Sequence, residues 1–178
     1  RPRVVLGHGI GGSIALELAQ FAAPVMDGLI LHAPVGARLG SRVFPRLMAL
    51  PGARALGQWA FSTRLLRPLW RRRLFSRPVP RDYLDRFFDE YRSCSVFGEM
   101  FDLVTPEWFE SLRPVAVPAA LLWGERERVL TVDQVGAFRA LLPGCLVSLP
   151  GRWDHFPMVE DPEAYAAEIV ALARKLTG

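Results

Sequence analysis

Residues 4–21 read VVLGHGIGGSIALELAQF, and this stretch decides the fold. The apolar run Val4–Leu6 predicts a short buried strand, because β-branched side chains pack well on a pleated surface. The glycines between residues 7 and 12 predict a sharp turn, and Ser13–Phe21 predicts a helix. Three apolar side chains are expected on one face of that helix: Ile14, Leu18 and Phe21.

A second strand is predicted at Gly28–His32, closed by Pro34. A strand, a helix and a strand within so few residues predict a parallel pair with a right-handed crossover. The same alternation returns near the C-terminus. The elements expected there are a strand at Ala119–Trp123, a helix at Val132–Leu141, a strand at Cys145–Leu149 and an amphipathic helix at Glu163–Leu176 bearing Tyr165, Ile169, Leu172 and Leu176.

The segment between these regions carries no strand signal, and its prolines divide it into short helical pieces. An aromatic stripe on the predicted helix Arg81–Tyr91 is interpreted as a packing face rather than a cofactor site. The chain is therefore predicted to be an α/β protein. Its zones are an α/β core in residues 1–34, a helical insertion in residues 35–111 and the rest of the core in residues 112–178.

Composition limits the class of protein. The 178 residues are 51% hydrophobic and 22% charged, which provides material for a core and argues against disorder. No apolar run reaches the roughly 18 residues of a membrane span. Cys94 and Cys145 show no metal-site or disulfide spacing, so reduced, mostly buried thiols and a cytoplasmic location are expected. The chain starts with Arg1 rather than Met, so the lack of a visible signal peptide carries little weight.

The net charge is +4, and residues 38–81 hold 11 arginines with no Asp or Glu. This bias alone does not indicate nucleic-acid binding, which is not expected. We favour a helix that turns its apolar side to a cavity and its arginines to water over a surface for an anionic membrane or acidic partner. Attraction of an anionic substrate is a third interpretation. The arginines concerned are Arg64, Arg67, Arg71, Arg72, Arg73 and Arg77.

The first candidate functional residues lie in the glycine-rich turn. In Gly7-His8-Gly9-Ile10-Gly11, the order of strand, sharp turn and helix is the context of a G-x-S-x-G nucleophile elbow. The backbone N–H of Ile10, at the helix start, is placed to stabilise an oxyanion. A dinucleotide-binding loop is disfavoured, because the required acidic residue does not accompany the glycines.

Two more stretches follow predicted strand ends. Glu125 and Glu127 are either carboxylates at the rim of the sheet, where ligands bind in open α/β folds, or solvated loop charges. His155 also follows a predicted strand end and lies in the loop before the last helix. A metal site formed by His155 with His8 and His32 is not favoured, since no carboxylate spacing supports it, and neither a metal nor a cofactor is predicted.

Together the three stretches resemble the α/β-hydrolase family over almost the whole chain. GHGIGGSIALELA resembles the family's GHSxGG elbow and helix, and LLWGERERV resembles its LLWGxxDxxxP acid loop. WDHFPMVEDPEAY resembles its GHxPxxExPxxF ending. The three motifs occur in the family's chain order of elbow, acid and histidine, which makes the resemblance specific.

The resemblance implies a capped hydrolase fold and a role for each motif. It places the nucleophile at position 9, the acid at Glu127, the base at His155 and an oxyanion donor at the Ile10 N–H. It implies an apolar ester or thioester as substrate and makes the insertion a cap. It also makes Arg1–Leu6 the family's fifth strand, so a preceding segment or another chain is expected to complete the sheet and to supply the second oxyanion donor.

The chain departs from the family at the nucleophile, where Gly9 replaces serine. Glycine cannot form an acyl-enzyme, and Ser13 lies a helical turn too far along to substitute. Dehalogenase chemistry is excluded as well, since it requires Asp at this position. Four interpretations stay open: a knocked-out hydrolase, a non-hydrolytic relative, an enzyme in which His155 activates water directly, and a protein that binds an apolar ligand or partner in the cavity.

Overall fold

The protein is described here from a computed structural model, which covers residues 2–21, 25–48 and 50–178. The predicted α/β class is confirmed: the strands form one parallel sheet in chain order, flanked by helices. The strands are β1 (Val4–His8), β2 (Gly28–His32), β3 (Ala119–Leu122) and β4 (Leu146–Ser148). The helices are α1 (Ile10–Phe21), α2 (Val43–Met48), α3 (Ala53–Ser62), α4 (Arg67–Leu74), α5 (Arg81–Ser93), α6 (Met100–Leu103), α7 (Pro106–Ser111), α8 (Val135–Leu141), α9 (Pro157–Glu160) and α10 (Pro162–Thr177).

The strand register brings the carboxyl ends of the strands to one edge of the sheet. His8 pairs with His32, His32 pairs with Leu122, and Leu122 pairs with Ser148. Each of these residues is the last of its strand, so the loops that follow all start at the same level. This edge is where ligands bind in open α/β folds.

Each face of the sheet is covered, which explains why the strands are apolar runs rather than alternating sequences. On one face, Leu29, Leu31 and Leu121 pack with Leu16 of α1 and Phe138 of α8. On the other, a smaller cluster packs against α10. Its members are Ile30, Ala120, Leu122, Trp153 and Leu172, with Tyr165, Ile169 and Leu176 at its border, so the predicted apolar face of the last helix is confirmed.

Several element boundaries differ from the predicted ones. β1 continues to His8 and α1 begins at Ile10, so the turn consists of Gly9 rather than the whole glycine run. The reason is that the N–H groups of Gly12 and Ser13 both donate to the Gly9 carbonyl, which starts the helical hydrogen-bond pattern. Arg1, the predicted start of the first strand, lies outside the described residues. Residues 132–134 form a 3₁₀ turn before α8, and β3 and β4 are shorter than predicted by one and two residues.

The predicted apolar face of α1 is present, but it is not the face that packs on the sheet. Ile14, Leu18 and Phe21 point outward, and Phe21 is 80% exposed. The helix instead buries a face that includes Ser13, Ala15, Leu16 and Ala19. Glycines allow this close approach, because a Cβ atom on Gly7 would lie 2.4 Å from the Gly11 carbonyl oxygen. Among the described residues, β1 is an edge strand of the sheet.

Helices α2–α7 lie between β2 and β3, and no strand interrupts them among the described residues. They contribute most of a third apolar cluster, in which Leu84 and Phe88 of α5 are buried while Tyr83 is largely exposed. The aromatic stripe of α5 therefore includes a packing face. The buried members of the cluster are Leu74, Phe75, Val79, Leu84 and Phe88.

The predicted orientation of the arginine-rich helix is wrong for part of its length. Leu65 is 82% exposed and Leu69 also faces outward, whereas Arg67 is only 8% exposed. Arg67 is buried because it pairs with two carboxylates of α5, Asp85 at 2.5 Å and Asp89, and lies over the Phe88 ring. A buried cation needs such partners, and here the neighbouring helix supplies both.

Cys94 and Cys145 are free thiols and only partly buried, so the expectation of mostly buried side chains is wrong in degree. In the described part of the chain, every helix is too short or too polar to cross a bilayer. Neither observation changes the architecture, which rests on the sheet and its three apolar clusters.

Gly124 provides a test of the contact between the loops that follow β3 and β4. A Cβ at this position would lie 2.2 Å from the Trp153 carbonyl oxygen, so Gly124→Ala should lower the free energy of unfolding by about 2 kcal/mol or more. Gly136→Ala is the matched control: no atom lies within 4 Å of its Cβ, and alanine should stabilise the helix by about 0.5–1 kcal/mol. Urea unfolding measures both, and equal stabilities would contradict the contact.

Candidate active site

The turn after β1 has the backbone of an elbow. Gly9 has φ +57°, in the left-handed region that side chains other than glycine enter only at a cost. Its N–H donates to the His32 carbonyl at 3.1 Å, and its carbonyl accepts from Val35 N–H at 3.1 Å, so both sides of the turn are fixed to the end of β2. A Cβ at this position would meet no atom within 4 Å. The turn therefore has room for a side chain that the sequence does not provide.

Ser13 and Ile10 flank this turn. Ser13 is buried, and its hydroxyl donates to the Val35 carbonyl at 2.6 Å, which gives this serine a structural contact near the elbow. Ile10 is the first residue of α1. Its N–H has no acceptor inside the helix, because the first four N–H groups of any α-helix lack one. That N–H is therefore available at the positive end of the helix dipole.

Glu127 and His155 lie on the loops that follow β3 and β4, and their side chains contact each other. His155 Nδ1 lies 2.6 Å from Glu127 Oε2. The other carboxylate oxygen, Oε1, accepts N–H groups from Val129 at 2.6 Å and Leu130 at 3.0 Å, so the orientation of the carboxylate is fixed. Glu127 is 5% exposed, whereas Glu125 is exposed. The solvated-charge interpretation thus holds for Glu125 and is wrong for Glu127.

Three imidazole rings form a cluster beside the elbow. The His8 ring lies 4.7 Å from the His155 ring and 4.6 Å from the His32 ring, measured between centroids, and is tilted against both. His8 directly precedes Gly9, so this cluster brings His155 next to the turn. The sequence carried a signal for part of this arrangement, because His8 and His32 end adjacent parallel strands. His155 is far from the first strand in the sequence, so no comparable signal indicated its contact with His8.

Burial keeps two of these histidines neutral. It lowers the pKa of His8 to about 3, with the nearby His155 adding to the effect, and it lowers the pKa of His32 well below its ordinary value. The Tyr165 hydroxyl lies 3.2 Å from His32 Nδ1, and burial raises the pKa of that tyrosine to about 12. Within the described ranges, no three His, Cys, Asp or Glu side chains are grouped to hold a metal ion.

An aromatic cover lies over His155. The Phe156 ring is 4.6 Å from the imidazole of His155 and stacks on Phe75 at 5.3 Å. Phe87 meets the same ring edge-on at 5.3 Å. Phe75 and Phe87 belong to the helical insertion, so the insertion contacts the Phe156 ring that lies against His155. This contact was not predicted, because the aromatic stripe indicated a packing face but not its partner.

Comparison with known proteins identifies the family. A model described as "Alpha/beta hydrolase family" matches residues 1–168, nearly the whole chain. The chain belongs to the α/β-hydrolase family. Uncharacterized proteins of Mycobacterium bovis and Mycobacterium tuberculosis are 23% identical to it over 180 residues. Those matches cover 90% of this chain and 52% of theirs, so the chain spans about half the length of the curated relatives it matches.

Solved structures share the fold at low identity. A lipase candidate from Acinetobacter baumannii aligns with a TM-score of 0.76 at 18% identity, over 98% of this chain and 61% of its own. An aryl esterase candidate from Burkholderia cenocepacia aligns with a TM-score of 0.72 at 18% identity, over 99% and 65%. An esterase from Rhodococcus sp. ECU1013 aligns with a TM-score of 0.61 at 18% identity, over 97% and 65%. At these identities the likeness concerns the fold.

The neutral histidines predict a pH dependence of stability. Between pH 6.5 and about 3 the unfolded chain binds a proton at His8 that the folded chain does not. The free energy of unfolding therefore keeps its full value above pH 6.5 and decreases as the pH falls below it. The expected slope is about 1.4 kcal/mol per pH unit for this residue. His8→Phe keeps an aromatic ring at this position and should remove that part of the slope, because phenylalanine does not bind a proton. Urea unfolding at pH 7, 6, 5 and 4 compares the two proteins, and parallel curves would refute the assignment.

Proposed function

We propose that this chain carries the acid–base half of an ester or thioester hydrolase whose nucleophile position is vacant. The observation that supports it best is the retained Glu127–His155 hydrogen bond of 2.6 Å beside an elbow with backbone φ +57°. The first feature is costly in isolation, since it buries a carboxylate. A chain that had lost all use for this chemistry would gain stability by losing that carboxylate.

The proposed roles follow from the contacts. Glu127 holds His155 through Nδ1, which leaves the other ring nitrogen, Nε2, to take and return a proton. The Ile10 N–H, at the start of α1, would donate to the oxyanion that develops on a substrate carbonyl. No cofactor is needed for this chemistry. We also propose that the helical insertion, residues 35–111, acts as a cap that shapes the apolar cavity.

Gly9 determines which route remains. Without a hydroxyl at this position no acyl-enzyme forms, so covalent catalysis is closed. In the remaining route, His155 removes a proton from a water molecule as the water oxygen bonds to the carbonyl carbon. The tetrahedral intermediate then expels the alcohol or thiol, which takes the proton from His155. Loss of the nucleophile leaves about 10³–10⁴-fold acceleration over water in enzymes of this type.

Restoring the nucleophile tests the proposal. Gly9→Ser places a hydroxyl where a Cβ meets no other atom, at a cost of about 1 kcal/mol for the left-handed backbone. In the whole protein, this variant should react with a fluorophosphonate probe and hydrolyse p-nitrophenyl esters, whereas the unchanged protein should not be labelled. Gel fluorescence and ester kinetics measure the two effects.

Gly9→Ala is the matched control, because it carries the same backbone cost without a hydroxyl and should remain unlabelled. Adding His155→Ala to Gly9→Ser should remove the labelling. A folded Gly9→Ser protein that neither labels nor turns over esters would refute the proposed function. It would favour the second candidate, a protein that binds an apolar ligand or partner in the cavity, which the absence of a nucleophile at Gly9 supports.

We further propose that another segment or chain covers the edge strand β1. The support is the exposure of Leu6 on that strand and of the outward α1 face formed by Ile14, Leu18 and Phe21. An uncovered apolar edge strand tends to associate with others. The 178-residue chain produced alone should therefore self-associate or melt without cooperativity in ultracentrifugation and calorimetry. A monomer with a sharp melting transition would contradict this.

A further inference from the structure

Asp154, the residue before the proposed base, is completely buried. Its side chain has 0% exposure, yet it is a carboxylate. The family ending that this chain resembles, GHxPxxExPxxF, has glycine at the corresponding position, so the resemblance assigns Asp154 no role. A buried carboxylate persists only where several donors replace the water it has lost.

The first carboxylate oxygen of Asp154 joins the two loops of the proposed acid–base pair. Oδ1 accepts the backbone N–H of Arg128 at 3.2 Å and that of His155 at 2.9 Å. Arg128 directly follows Glu127. A single Asp154 oxygen therefore binds the backbone next to the proposed acid and also the backbone of the proposed base, His155. The separation of these two backbones sets whether the Glu127 and His155 side chains can meet at 2.6 Å.

The second oxygen joins the same site to the helical insertion. Oδ2 accepts from Arg128 Nε at 2.6 Å and from the Ser76 hydroxyl at 2.7 Å. The Arg128 guanidinium also donates to the Arg72 carbonyl at 2.9 Å, and Arg73 donates to the Arg128 carbonyl at 2.6 Å. Residues 72–76 of the insertion are thus bound to Asp154 directly and through Arg128.

We propose that Asp154 is a positioning residue, which holds the Glu127 loop and the His155 loop in register and couples that register to the helical insertion. The inference rests on the proposed function of the Glu127–His155 pair. Asp154 acts through the two backbones and makes no contact with the imidazole ring among the described hydrogen bonds. Movement of residues 72–76 away from the core would break its contact with Ser76 and loosen Arg128, so the geometry of the pair would follow the position of the insertion.

Asp154→Asn tests the inference. Asparagine can still accept the two backbone N–H groups, but its NH₂ group faces Arg128 Nε and repels it, since both are donors. We expect the low-field proton resonance of the His155–Glu127 hydrogen bond to shift or broaden in NMR spectra of the whole protein. In the Gly9→Ser background, kcat should fall about 10- to 100-fold while KM stays within about 2-fold, because misplaced groups lose rate rather than binding.

Asp161→Asn is the matched control. Asp161 also binds the insertion, through Arg77 at 2.7 Å, but it contacts neither Glu127 nor His155 among the described hydrogen bonds. Asparagine keeps its capping oxygen at the start of α10. This variant should leave the resonance and kcat unchanged. Equal effects of the two substitutions, or an unchanged resonance and kcat in Asp154→Asn with only a lower melting temperature, would overturn the inference.

Arg128→Lys decides the matter if Asp154→Asn does not fold. Lysine keeps a positive charge beside Asp154 but cannot bridge Asp154 and the Arg72 carbonyl as the guanidinium does. It should move the resonance in the same direction, and an unchanged resonance would overturn the inference. The NMR signal is observed in the Gly9 protein as it is. Failure of Gly9→Ser to hydrolyse esters would therefore refute the proposed function without deciding the role of Asp154.

Discussion

The parallel register of the sheet is the constraint on which the rest of the structure depends. His8, His32, Leu122 and Ser148 end their strands side by side, so each following loop starts at one edge. This alignment places the Gly9 turn beside the loops that carry Glu127 and His155. A shift of one residue would also turn every strand side chain to the opposite face of the sheet, and two apolar clusters hold the register against it.

Burial then determines the hydrogen-bond partners and the charge of the polar groups at that edge. Glu127 and Asp154 are both buried carboxylates that accept backbone N–H groups, but Glu127 also contacts an imidazole, whereas Asp154 also contacts a guanidinium. His8 and His32 are neutral for the same reason, since burial disfavours the charged ring and lowers the pKa of both. The Glu127–His155 hydrogen bond therefore lies close to a turn at Gly9 that has room for a side chain.

The chain belongs to the α/β-hydrolase family. Fold does not determine function, so the activity proposed for Glu127, His155 and the Gly9 turn rests on the geometry of these residues and not on the family. The Asp154 network shows where the insertion and the core are joined. Its donors come from Ser76, Arg128 and His155, three segments that are distant in the chain.

The sequence by itself determined the α/β class, because that class follows from local periodicity. The order of the motifs carried the resemblance to the α/β-hydrolase family, which is confirmed, and the roles of Glu127 and His155 that this resemblance implies stay predictions. Only the tertiary structure decided which way α1 faces, why Arg67 is buried and what Asp154 holds. Periodicity shows that a face is apolar but not which neighbour covers it, so the exposure of Phe21 could not be predicted from the sequence. Likewise, a carboxylate is interpreted as solvated until donors from distant segments surround it, and such long-range contacts leave no pattern in a single sequence.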